Sequence, residues 1–103
     1  MKKSFFKKKP KKMFSVEERF VYHNDRYLRS AKNGLKFGGI KHSYSMGFVD
    51  AFSGRDNTLA TRHEFGDKSA NAYSRGYKIG RKAVFDYYRD TGKIASDLPL
   101  KYH

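Results

Sequence analysis

The 103 residues predict an all-α protein, a small three-helix domain containing a close-packed helical hairpin, with a disordered basic N-terminal arm. Three observations carry this expectation. The capping-box sequence Ser15-Val-Glu-Glu18 precedes apolar residues at helical spacing. The phrase Tyr-Ser-x-Gly-aromatic is written twice, at 44–48 and 73–77, each time in a stretch where rings and small residues recur with helical period. Glycines at 34, 54 and 92 stand where these stretches end. The length suits one domain, with residues 1–13 as the arm, 14–92 as the helical domain and 93–103 as a tail.

The first helix is expected to start at the Ser15 cap and stop at Asn33-Gly34. Val16, Phe20, Tyr27 and Ala31 share one face of it with His23. A histidine in the middle of an apolar face reads as a buried, hydrogen-bonded residue rather than as a base or a ligand. Residues 34–42, GLKFGGIKH, read as a Gly-rich connector without a Walker or dinucleotide fingerprint. The second helix is expected from Tyr44 to Ser53 with Ser43 as its cap, followed by a fourteen-residue polar connection, RDNTLATRHEFGDK. The third and longest runs from Ser69 to Asp90 or Thr91.

The repeated phrase is a packing device. Tyr44, Gly47, Phe48 and Ala51 in the first copy match Tyr73, Gly76, Tyr77 and Gly80 in the second. In the longer helix Val84, Tyr87 and Tyr88 continue the same stripe within about 100° of arc. Glycine inside a helix costs about 0.5–1 kcal/mol relative to alanine. Its use in both copies points to two helix backbones in close approach, flanked by interlocking rings. An antiparallel pairing is the simplest expectation, and the same surface would serve a homodimer.

Composition narrows the function. There are 23 Lys and Arg against ten Asp and Glu, a net charge of +13. A fold does not require such an imbalance; an anionic partner does, and nucleic acid is the first candidate. Seven lysines, Lys2, Lys3, Lys7, Lys8, Lys9, Lys11 and Lys12, lie in the arm, and the other sixteen basic residues leave the body at +6. In the third helix Arg75, Lys78, Lys82 and Arg89 fall within about 60° on the side away from the rings, with Arg81 nearer to them. Asp86 and Asp90 are expected off this stripe, leaving it unneutralised. These twelve residues are the expected nucleic-acid contacts.

No cysteine is present, which removes thiol chemistry and thiolate metal sites. His23, His42, His63 and His103 lack the spacing of a metal site. His63-Glu64 and the nearby Asp56-Asn57 resemble part of a metal nuclease, but neighbours in a loop rarely converge on one ion, so no catalysis, metal or cofactor is expected. No apolar run approaches the roughly 20 residues of a membrane span. No membrane partner is expected, and the expected setting is cytoplasmic.

The spacing Gly47-Phe48-x-x-Ala51-x-x-Gly54 and the sequence Tyr73-Ser-Arg-Gly76-Tyr77 resemble ribosome modulation factor and its relatives. The resemblance covers roughly residues 43–85; here Tyr stands for the usual Trp, and the loop lacks the usual Pro-Tyr and is about two residues longer. It implies an all-α protein that binds ribosomal RNA, in company with ribosomal proteins, and modulates translation. Similar small domains occur on phage and plasmids, so two further readings stand beside it: a DNA-binding protein of a virion or mobile element, and an inhibitor that sets its basic face against an acidic protein.

Overall fold

The computed structural model describes residues 14–30, 32 and 34–94. The described residues form four helices, α1 (Val16–Leu28), α2 (Ile40–Ser53), α3 (Thr58–Phe65) and α4 (Asp67–Thr91), so the all-α expectation holds with one helix more. The capping box closes as its sequence dictates: Ser15 Oγ accepts from Glu18 N at 3.0 Å, and Glu18 Oε1 accepts from Ser15 N at 2.9 Å. α1 ends earlier than expected, at Leu28, with Arg29 N donating to the Asp25 carbonyl.

α2 begins four residues before its expected start. Gly39 is its N-cap, and Ser43 lies buried within the helix instead of capping it. The local device at this end is His42, whose Nδ1 accepts from Gly38 N at 3.1 Å. Gly38 sits at φ 78°, and a Cβ there would lie 2.3 Å from the Phe65 ring, so the connector is packed against the end of α3. The polar connection hides α3. Asp56 Oδ1 accepts from Thr58 N at 2.9 Å, an Asx-type start, and Gly66 separates α3 from α4.

The paired phrases pack as their glycines require. A Cβ on Gly47 would lie 2.1 Å from the Tyr73 carbonyl oxygen, and one on Gly76 would lie 2.0 Å from that of Tyr44. A Cβ on Gly80 would meet the Phe48 carbonyl at 2.6 Å. The sense of the pair differs from the antiparallel expectation. Ser69 reaches the Gly38 carbonyl at the start of both helices, and Arg81 reaches the Ala51 carbonyl near the end of α2, so α2 and α4 run the same way. α3, about 12 Å long at 1.5 Å per residue, is the return leg that makes this possible.

Phe20 of α1, Phe48, Val49 and Phe52 of α2, and Ala83 and Tyr87 of α4 form the core. Phe20 and Phe52 rings meet at 4.8 Å and Phe48 and Phe52 at 5.4 Å. Tyr88 departs from the expected stripe: it is 60% exposed, because the helix turns its neighbour Tyr87 into the core instead. Tyr73 is fully buried, and its hydroxyl donates to Asp50 Oδ2 and accepts from Asn57 N at 2.9 Å. Burial, with the Asp50 carboxylate beside it, raises the Tyr73 pKa far above the ordinary range, so the group stays neutral and pins the turn after α2.

His42 makes the fold sensitive to acid. Burial lowers its pKa below the usual imidazole range, outweighing the Tyr27 carbonyl, which raises it. Below about pH 6.5 the unfolded chain takes up a proton that the folded ring resists, so stability falls as pH drops through that value and below. Protonation would also turn the acceptor facing Gly38 N–H into a second donor. We expect urea midpoints to fall between pH 7.5 and 5.5 for the native chain, and His42→Gln to flatten that dependence. An equal fall in both proteins would show that other groups set it.

Candidate nucleic-acid interface

α4 is amphipathic along its full 25 residues. Ser69, Ala70, Ala72, Tyr73, Gly76, Gly80, Ala83 and Tyr87 are turned inward. The opposite face is therefore committed to solvent by the same 3.6-residue period that builds the seam. Arg75, Lys78, Lys82 and Arg89 all lie on that exposed face. Lys68 extends the row by two turns toward the helix start, a residue that the sequence reading passed over because it lies in the expected polar connection. From Lys68 to Arg89 the row spans about 31 Å of helix.

The row is not uniform. Arg75, Lys78 and Lys68 make no ion pair among the described residues. Lys82 Nζ lies 3.8 Å from Asp86 Oδ1, and Arg89 Nη2 lies 3.2 Å from the same oxygen. Arg89 Nε also meets Asp90 Oδ1 at 3.3 Å. The expectation that Asp86 and Asp90 leave the stripe unneutralised is thus corrected for its C-terminal half. Backbone angle places Asp86 beside the row, but long side chains three and four residues away sweep across that gap. The free half is the N-terminal one.

Arg81 has another task. It is half-buried, its Nη1 donates to the Ala51 carbonyl at 3.0 Å, and its guanidinium lies 5.5 Å from the Phe85 ring centre. α2 has no basic residue in its own last turn, so Arg81 supplies the charge and a donor to that carbonyl end from across the seam. Tyr44, Gly47, Phe48, Ala51, Tyr73, Gly76, Tyr77 and Gly80, expected to pack the two phrases, all lie in or beside the α2–α4 contact. The seven arm lysines, from Lys2 to Lys12, lie outside the described residues.

A second basic feature escaped the sequence reading. Arg19, Tyr22, His23 and Arg26 stand at i, i+3, i+4 and i+7 on α1 and, with Tyr44 and Phe48 of α2, line a groove of about 540 Å³. His23 packs on Phe48 at 4.3 Å and on Tyr44 at 5.7 Å between ring centres. Its Nδ1 lies 2.9 Å from Ser45 Oγ, which also accepts from Arg26 Nε at 2.8 Å. His23 is therefore hydrogen-bonded as expected, but half-buried on a groove wall rather than within the core. The helical spacing of the α1 residues was legible; their convergence on Tyr44 and Phe48 was not.

His63 and Glu64, exposed on α3, have no third metal-ligating group gathered with them among the described residues. No described helix is long and apolar enough to cross a membrane. No protein-family model, no curated protein and no solved structure matches the chain.

Proposed function

We propose that the protein binds RNA through the exposed basic row of α4 and acts as a modulator of translation on ribosomal RNA. The observation that carries this reading is the placement of Lys68, Arg75 and Lys78 on one straight face, free of ion pairs among the described residues. Such a row suits a phosphate backbone, because each lysine or arginine that meets a phosphate releases condensed counterions. The net charge of +13 and the seven lysines of residues 1–13 support it as a source of further phosphate contacts. The resemblance to ribosome modulation factor supplies the target. Its motif residues lie in or at the end of the α2–α4 packing, so it speaks to helix pairing and lends the ribosome by likeness.

Sedimentation of tagged full-length protein with cell lysate tests the target. Co-migration with ribosomal subunits that is lost on RNase treatment is expected. Co-migration with acidic proteins that survives nuclease would overturn the reading in favour of a protein inhibitor. A clear preference for duplex DNA over structured RNA at fixed salt would overturn it in favour of a DNA-binding protein.

A further inference from the structure

We infer that the α1–α2 groove is a stacking site for one unpaired RNA base, with Arg19 and Arg26 placed for the phosphate beside it. This deepens the nucleic-acid reading above and rests on it. The groove has the composition that base recognition needs: flat rings for stacking and fixed cations at the same edge. Tyr22 is 57% exposed, and its ring meets His23 edge-on at 5.0 Å. Tyr44 and Phe48 also pack on His23, at 5.7 and 4.3 Å between ring centres. The volume, about 540 Å³, falls in the range of small-ligand sites, roughly 300–1,000 Å³.

The cations are held by uncharged partners among the described residues. Arg26 is fixed by three contacts: Nε to Ser45 Oγ at 2.8 Å, Nη1 to the Tyr22 hydroxyl at 3.0 Å, and its guanidinium 5.2 Å from the Tyr22 ring centre. Arg19 lies 5.6 Å from the centre of Phe48. Neither forms an ion pair among the described residues. The carboxylate on the groove wall, Glu18, accepts from Ser15 N in the helix cap. A preset guanidinium loses little side-chain freedom on meeting a phosphate, and aromatic contact leaves most of its donors available.

Position joins this groove to the proposed phosphate track. Ile79 of α4 lines the groove, one turn after Arg75 and just short of one before Lys82. A strand following the α4 row thus passes the groove's edge, where one base can turn out of the stack. A perfect duplex has no base to offer. The site therefore separates single-stranded or bulged RNA from a helical stem, which the row alone does not do.

The test measures binding of fluorescent RNA by the full-length protein at 0.1 M salt, using three probes: an unpaired decamer, the same decamer with abasic residues, and a perfect RNA duplex. Tyr22→Ala is the variant, its exposure making it tolerable to the fold, with circular dichroism as a check. We expect Tyr22→Ala to weaken decamer binding roughly 5- to 150-fold, the range of one lost base stack. It should leave duplex binding unchanged, and the abasic strand should bind the native protein as weakly as the decamer binds the variant. Equal binding of decamer and abasic strand by the native protein would overturn the inference while leaving the backbone reading intact. So would an equal loss on duplex and decamer in the variant. Absence of binding to every probe would overturn both.

Discussion

Replacing Gly76 by alanine will destabilise the domain by about 2 kcal/mol, although the same change in an uncrowded helix interior would stabilise it by about 1 kcal/mol. The sign is decided by the seam. The added methyl would lie 2.0 Å from the Tyr44 carbonyl oxygen and 2.9 Å from its carbon. These are backbone atoms of a neighbouring helix, so no rotamer change relieves the clash and α2 and α4 must separate. Overpacking of this kind costs about 1–3 kcal/mol, and a rigid neighbour puts it at or above the upper end, beyond the propensity gain. For a domain of this size the net loss corresponds to a melting temperature lower by roughly 10 °C. Gly47→Ala should behave alike, since its methyl would lie 2.1 Å from the Tyr73 carbonyl oxygen. The two face each other across one gap, so the double variant should lose less than the sum of the singles. Thermal and urea unfolding of the three variants measure this; a stabilised Gly76→Ala would show that the helices do not touch there.

The second large effect is on binding. Changing Lys68, Arg75 and Lys78 together to glutamate should weaken RNA binding about 100-fold at 0.1 M salt and flatten the slope of log K against log salt by about 2, on roughly 0.7 per phosphate contact on single strands. All three side chains are exposed, so unfolding midpoints should hold. Asp86→Asn works in the opposite direction. It releases Lys82 and Arg89 from the shared carboxylate oxygen, and we expect tighter binding, by up to about 5-fold, with a steeper slope. Surface ion pairs of this kind contribute little to stability, about 0.3–0.5 kcal/mol each on a helix, so the fold should tolerate the change. Titrations across a salt series read both variants. If neither alters affinity or slope, α4 is not the interface.

Local chemistry made much of this legible beforehand. The α1 cap was readable because Ser15 and Glu18 satisfy one another within a single turn. The glycine seam was readable because a helix tolerates glycine at a cost that only close packing offsets. α3 was hidden by its polar composition; its start depends on an Asp56 turn and its end on Gly66, short signals that also occur in plain loops. The early start of α2 was masked by Gly38-Gly39, which suggest a break until His42 accepts from Gly38 N. Tyr88 was misplaced because a wheel puts it within the stripe without saying which part of that arc the neighbouring helices cover, and they cover the Tyr87 side.

The sequence by itself determined that the chain is helical, that its two written phrases meet through their glycines, and that one face of the last helix is basic. Each of these follows from spacing along a single helix. Only the tertiary structure decided that α2 and α4 run in the same sense, that Arg81 serves the end of α2, and that Asp86 quiets half of the basic row. It alone also brought Arg19, Tyr22 and Arg26 against Tyr44 and Phe48. The physical reason is common to most of these: periodicity assigns a residue to a face, but what that face meets depends on how the intervening chain returns and how far long side chains reach.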